Sequence, residues 1–450
     1  MKYEAYPGYS DTIPDWLGAI PPHWQRMPLK RKFRFVNGST PGASEPDYWD
    51  GDILWITPAD FRTSRAGYLE TSGRKITLQG LNSCGTSLVP KNSIVLTTRA
   101  PIGGVAQVTA AFCTNQGCKS LVLDAAGVWK RFVYFVLDVS SPQLNALGLG
   151  STFMELSTDA LGMYHFPLPP LPEQQQIAAF LDWKTGQIDA LIARKKELME
   201  KLKEKRLAVI TQAVTRGLNR AVPLRDSGIP WLGYVPAHWV VKRLRYCSGL
   251  VTSGSRGWAQ FFADSGNLFL RITNLDRESI GLKLDDLQRV DPPAGAEGAR
   301  TLTTAGDLLI SITADLGSVA VVPEHLEPAY VSQHLSLVRL DTGDIDPVWI
   351  AYAIFSNSGK SQLLTAGYGG TKVQLSLEDI KDIVFCHPPT RHEQRAVLDA
   401  IRLETDRIDH LVALTSSAIA RLTEYRTALI TAATTGKIDV RAVKIPSQSS

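Results

Sequence analysis

Cysteine is scarce. The 450 residues hold five, Cys84, Cys113, Cys118, Cys247 and Cys386, an odd and scattered set that argues against a disulfide framework. Cys113 and Cys118 lack a second Cys/His pair at zinc-ligand spacing, and the eight histidines are scattered, so no metal site is expected and ordinary thiols are the simpler reading. Long hydrophobic runs are missing too. No stretch approaches the ~18 uncharged apolar residues of a membrane helix, and the opening MKYEAYPGYSDTIPDW lacks a basic-then-apolar signal pattern. A cytoplasmic protein with no membrane partner is expected. Catalytic signatures are equally wanting. There is no G-x-x-x-x-G-K-[ST] phosphate loop. The string nearest to an N-P-P-[FYW] amide clamp, HPPT at His387–Thr390, has no Asn. Asp285 and Asp286 are adjacent but lack the lysine spacing of a nuclease. These absences argue against helicase, methyltransferase and nuclease, so no catalytic residue is assigned and a non-enzyme is expected.

Charge of one sign is not in large excess, at +4 overall. Its distribution is more telling. Residues 1–172 carry +2, 173–220 carry +4, 221–388 carry −4 and 389–450 carry +2. A nucleic-acid partner suits the total, but bulk electrostatics cannot hold one against the acidic third segment. Any basic surface there has to be local.

The chain is written twice. WLGAIPPHW at Trp16–Trp24 returns as WLGYVPAHW at Trp231–Trp239, six of nine positions identical at an offset of 215. A basic cluster follows each copy: Lys30, Arg31, Lys32 and Arg34, then Lys242, Arg243 and Arg245. LVPKNSIVLTTRAPIGGVA (Leu88–Ala106) answers LTTAGDLLISITADLGSVA (Leu302–Ala320), and TGQIDALI (Thr185–Ile192) answers TDRIDHLV (Thr405–Val412) at an offset of 220. Within each half, Gly- and Pro-punctuated β-branched runs such as SIVLTT and DLLISIT read as short strands of an irregular α/β domain. A proline cluster, PLPPLPEQQ or HPPTRHEQ, then opens a long stretch without proline. Glu173 and Glu393 fall where a helix N-terminus favours a carboxylate.

In those stretches a heptad seam runs through Ile177, Leu181, Ile188, Leu191, Leu198, Leu202 and Val209, and again 220 residues on through Val397, Ile401, Ile408, Leu411, Ala418, Leu422 and Leu429. About 44 residues make a rod of roughly 65 Å, longer than a domain of this size is wide. Two such helices in one chain can bury each other's seams, and an antiparallel coiled coil is expected. The run RKKELMEKLKEKR (Arg194–Arg206) reads as a solvated face, or as a docking surface. The fold expected is therefore a duplicated α/β (α+β) chain with pseudo-two-fold symmetry, two mixed α/β domains separated by two long helices.

The twice-repeated W-L-G-x-[IV]-P-x-H-W opening, the basic cluster, the Pro-rich hinge and the E-Q-…-I-D-x-L helix together resemble the specificity subunit of type I restriction–modification systems. The resemblance implies target-recognition domains at 1–170 and 221–388, spacer helices at 171–220 and 389–440, and a flexible tail at 441–450. It implies double-stranded DNA, two modification subunits and a restriction (motor–nuclease) subunit as partners. S-adenosylmethionine, ATP and Mg are then expected on those partner subunits and no cofactor in this chain. A coiled-coil assembly scaffold that does not read DNA is the alternative. Base reading needs Arg, Lys, Asn, Gln, Asp, Ser or Thr on exposed loops. The candidates are Arg31, Arg62, Arg65, Arg74, Lys75, Arg99, Gln116 and Lys119 in the first domain. In the second they are Arg243, Arg256, Arg271, Asn274, Arg277, Gln333, His334 and Lys372, the last in the Gly-rich string GYGGTK. The paired tryptophans either stack on bases or anchor each domain entrance in its core.

Overall fold

The computed structural model describes residues 3–10, 16–99, 101–149, 154–292, 295–341, 343–367 and 374–446. It divides into two compact units, Met1–Lys196 with Ser416–Ser450, and Glu197–Thr415. The division runs through two long helices, α1 (Leu171–Arg216) and α2 (Arg391–Thr434), so each unit holds part of both.

Each unit is a mixed α/β body on one plan. In the first, Phe33–Asn37, Cys118–Leu123, Ser93–Thr97, Val105–Val108 and Tyr68–Leu69 lie side by side in that order. A second sheet joins Arg74–Ile76, Trp49–Ile56 and Phe112–Thr114, the last pair parallel. In the second unit Ser248–Ser253, Leu335–Leu340, Leu308–Ser311 and Val319–Val321 repeat the first sheet. Phe262–Ala263, Gln288–Val290, Asn267–Leu270 and Ala329–Val331 repeat the second, again with its last pair parallel. The runs read as strands are buried along their whole length at Ser93–Thr97 and Leu308–Ser311. That is why they carry no polar alternation. The chain is thus a duplication, as its repeated strings require.

Inside each unit the two long helices run antiparallel. In the first, Asp189 of α1 meets Arg426 of α2 at 3.0 Å, and Gln176 donates to the carbonyls of Val440 and Val443 beyond the end of α2. In the second, Arg206 of α1 meets Asp409 of α2 at 3.0 Å, and Ala213 shares a cluster with Ile401. Both ion pairs use the aspartate of the I-D-x-L string, and their arginines also lie 220 residues apart.

The buried stripe departs from the heptad seam. Ile177, Leu181, Ile188, Leu202, Val397, Ile401, Ile408 and Leu429 are buried, and Val209, Ala418 and Leu422 half-buried. Leu191, Leu198 and Leu411 are 43%, 46% and 48% exposed. The inward positions instead step by eleven: Ile177, Ile188, Met199 and Ile210 on α1, and Val397, Ile408, Ile419 and Ile430 on α2. A straight helix drifts ~20° per heptad away from a 3.5-residue repeat, so a seven-residue count leaves the interface within a few turns, whereas eleven residues in three turns stay with it. The stretch expected to be a loose tail from 441 is also tied down as far as it is described. Val440 is buried, Val443 and Ile445 pack on the first unit's core, and Asp439 N–H donates to the Glu4 carbonyl at 2.8 Å.

Candidate nucleic-acid interface

The frame that presents the loops is built from the repeated strings. In the first unit the Trp24 indole N–H donates to Glu173 Oε1 at 3.1 Å, Tyr6 O–H donates to the same oxygen at 2.5 Å, and His23 Nε2 meets Oε2 at 2.9 Å. In the second unit Trp239 donates to Glu393 Oε1 at 2.9 Å and His238 meets the same carboxylate at 3.0 Å. The neighbouring glutamine closes the joint. Gln174 accepts from Trp129 N–H and donates to the carbonyls of Gly127 and Pro169. Gln394 accepts from Asp346 N–H and donates to Asp344 and Pro388. Both glutamines are fully buried.

The same tryptophans receive the other helix's end. Gly436 follows α2 at φ +70°, and a Cβ there would lie 3.3 Å from the Trp24 ring; Gly217 follows α1 at φ +70°, and its Cβ would lie 3.1 Å from Trp239. Each of these tryptophans is therefore a hub where one long helix starts and the other stops, which imposes the antiparallel pairing. Trp24 and Trp239 are 5% and 2% exposed, so they are anchors and do not stack on bases. Trp16 stacks on Tyr164 and donates to the His165 carbonyl. Trp231 stays partly exposed.

On this frame, both units put candidate residues at the C-terminal ends of their parallel strand pair. Thr57–Asp60 and Asn115–Gln116 follow that pair in the first unit, Arg271–Asn274 and Ser332–Gln333 in the second. The close approach beneath these loops demands glycine. A Cβ at Gly38 would lie 2.0 Å from the Asn115 carbonyl oxygen, and one at Gly254 2.2 Å from the Ser332 carbonyl oxygen.

The candidates fall into three groups. Arg31, Arg62, Arg65 and Lys75 are exposed, and among the described residues their side chains have no ion pair or hydrogen bond; Arg256 stands alike in the second unit. A second group is exposed but engaged. Arg74 lies 3.4 Å over the Trp49 ring, Arg99 pairs with Glu155 at 3.1 Å, Arg243 with Asp382 at 2.8 Å and Arg277 with Asp315 at 3.0 Å. Arg271, half-buried, pairs with Asp286 at 3.0 Å, Gln116 is bonded to Thr40, and Gln333 to His334. Exposed pairs of this kind are worth ~0–1 kcal/mol, so a phosphate can take their place at small cost.

The third group is a correction. Lys119 is 7% exposed on a central strand and donates to Asn37 Oδ1 at 3.0 Å, and burial pulls its ammonium below the usual lysine range. Asn274 is 1% exposed; it accepts from Arg271 N–H and donates to the Lys283 and Asp286 carbonyls. Both hold loops in place and are out of reach of a ligand, because the strand and turn that carry them face the core. Lys372 lies outside the described residues.

Among the described residues, four of the five unengaged candidate cations lie in the first unit. This matches the net acidity of residues 221–388, where the described arginine candidates other than Arg256, namely Arg243, Arg271 and Arg277, are paired. The sequence reading missed Arg206 and Arg426, for which the shared 220-residue offset was the available signal. It also missed Arg131, whose guanidinium is buried against Tyr68, Tyr134 and Phe135 and bonded to Asp182, and which left no periodic trace. All five cysteines are free, and among the described residues no three His, Cys, Asp or Glu side chains gather as metal ligands. No helix of the described residues is long and apolar enough to cross a membrane.

Residues 21–204 match the family model of the type I restriction modification DNA specificity domain. The chain is 36% identical over 191 residues to the type I restriction enzyme MjaIX specificity subunit of Methanocaldococcus jannaschii, covering 41% of this chain and 43% of that one. It is 23% identical over 325 residues to the EcoBI specificity subunit of Escherichia coli, covering 69% and 66%. It thus spans less than two thirds of the length of either relative. Among solved structures, a chain from a study of complex assembly and conformational transition of the type I R-M system superposes with a TM-score of 0.71 at 15% identity, over 93% of this chain and 99% of that one. The HsdS subunit from Thermoanaerobacter tengcongensis gives 0.50 at 16%, over 93% and 98%. These two likenesses bear on the fold.

Proposed function

We propose that this chain, whose residues 21–204 match the family model of the type I restriction modification DNA specificity domain and whose fold is that of a solved type I R-M chain, is a type I specificity subunit that reads a bipartite, asymmetric site on double-stranded DNA. The observation that carries the reading is one frame used twice with different loops. Trp24–Glu173–Gln174 and Trp239–Glu393–Gln394 make the same joint, while the loops above them differ at most positions, Thr57–Asp60 against Arg271–Asn274. A common scaffold with divergent loops suits two readers of two different half-sites. The free cations of the first unit supply phosphate contacts, and the second unit relies on exchanging its surface ion pairs.

Two modification subunits dock on the long helices in this reading. Leu191, Leu198, Leu411 and Leu414 support it, since each is an exposed apolar side chain on a helix whose inward stripe is already filled. The chain itself is non-catalytic. S-adenosylmethionine, ATP and Mg are bound by the modification and restriction partners, and the assembly works in the cytoplasm. The test is a DNA shift assay on the chain co-purified with its modification partner, beside methylome sequencing of a strain in which residues 1–170 are exchanged for those of a relative. One half-site should change and the other stay. A complex that assembles but shifts no DNA would make the chain a scaffold.

A further inference from the structure

At the C-terminal ends of Asn267–Leu270 and Ala329–Val331 the second unit opens a cleft of about 330 Å³. One wall is aromatic. Trp258 and Phe269 stack at 6.0 Å and 22°, and Phe262, 41% exposed, leans on Phe269 at 5.5 Å. Arg271, Gln333 and His334 line the cleft as well. Ser332 also lines the cleft, only 3% exposed, and its hydroxyl has no hydrogen-bond partner; the Nε of Arg271 is buried and unpartnered as well.

Unsatisfied buried donors and acceptors are costly, and their presence inside a cleft asks for a ligand that pairs with them. An aliphatic side chain would leave Ser332 and Arg271 stranded. A bare phosphate would waste the aromatic wall and meet an arginine already shared with Asp286. A flat heteroaromatic ring with a hydrogen-bonding edge satisfies both, its face on Phe262 and Phe269 and its edge toward Arg271, Gln333 and Ser332. A stacked base pair offers a protein its edges and not its face, so such a ring reaches the wall only when it leaves the stack.

The corresponding sheet of the first unit is closed by its own chain. There the Arg74 guanidinium covers the Trp49 ring at 3.4 Å, and Gln116, the counterpart of Gln333, is bonded to Thr40. The two units differ in these sheets, and the difference is an open aromatic face. We propose that this cleft takes one nucleobase of the half-site read by the second unit, held out of the duplex stack. The proposal rests on the DNA-reading function above and deepens it.

The test uses the full chain co-purified with its modification partner and duplexes carrying 2-aminopurine singly at each position of both half-sites. Ala259→Trp fills the cleft from its exposed rim without entering the core, and Phe262→Ala removes the wall. In the second half-site, one position should brighten on binding with the unaltered chain and go dark with Ala259→Trp. Phe262→Ala should weaken DNA binding about fivefold or more, the range of a lost base–aromatic stack. First half-site signals should be the same in all three proteins. Brightening that survives Ala259→Trp but not Phe262→Ala would mean that Phe262 wedges between base steps, and would overturn the cleft. DNA that shifts normally with no position depending on either residue overturns the proposal and leaves DNA reading standing. DNA that does not shift at all removes both. Unchanged amide exchange across 262–290 checks that each variant is folded.

Discussion

Gln174→Met isolates the joint between the first unit's mixed α/β body and its long helix. The side chain is wholly buried, and three backbone groups depend on it: Trp129 N–H and the carbonyls of Gly127 and Pro169. Methionine fills nearly the same volume, so the loss reports hydrogen bonding and not a cavity. Each stranded group costs about 1 kcal/mol or more, giving roughly 3 kcal/mol in all. For a unit of some 230 residues, that lowers the melting temperature by about 6–12 °C. Two units need not unfold together, so the assay is hydrogen exchange resolved by peptide. Protection should fall across Lys130–Asp138, whose first turn follows Trp129, and stay unchanged in residues 221–388. Gln394→Met should do the converse, loosening Pro347–Phe355 by stranding Asp346 N–H and the Asp344 and Pro388 carbonyls. A cost below ~1 kcal/mol, or equal loosening of both units by one substitution, would refute the glutamine as a local fastener.

The eleven-residue stripe predicts that Ile188→Asp destabilises the first unit by about 3 kcal/mol or more by burying a lone charge. Leu191→Asp, on the exposed side, should leave the melting temperature within about 1 °C yet reduce co-purification with the proposed modification partner. Equal melting losses would restore the heptad. Burial lowers the His387 pKa below its ordinary 6.5, so the unfolded chain takes up the proton first and the second unit should lose stability as pH falls below 6.5. His387→Leu, which copies Leu168 of the first unit, should flatten that slope in a pH series of unfolding curves. Asp307, 1% exposed, accepts two bonds from Arg339 at 2.9 and 2.7 Å. Arg339→Met leaves that carboxylate without its cation and should cost about 3–5 kcal/mol in urea unfolding.

The duplication, the two long helices and their mutual pairing were legible because they are periodic. Repeated tryptophans, a proline cluster before a proline-free stretch and apolar steps of three and four survive in one dimension. The candidate loops were legible only as places. Arg99 and Lys119 look alike in a string, yet one pairs with Glu155 at the surface and the other is buried beside Asn37. Asn274 reads as a base-contacting candidate and serves as a turn fastener, because its three bonds come from backbone up to twelve residues away.

The sequence by itself determined that the molecule is made of two like halves, where each half turns from sheet to helix, and that both helices present apolar stripes. Those are properties of spacing, and spacing is local. Tertiary structure decided which side of each helix is inside, since the choice between seven and eleven residues depends on small angles that accumulate over ten turns. It decided that the histidine–tryptophan pair and the glutamate some 150 residues later are one joint. It also decided that the aromatic wall at Trp258, Phe262 and Phe269 stands open while Trp49 is covered. Whether an aromatic ring meets a ligand or its own chain depends on which distant residue folds over it, and no neighbour in sequence carries that information.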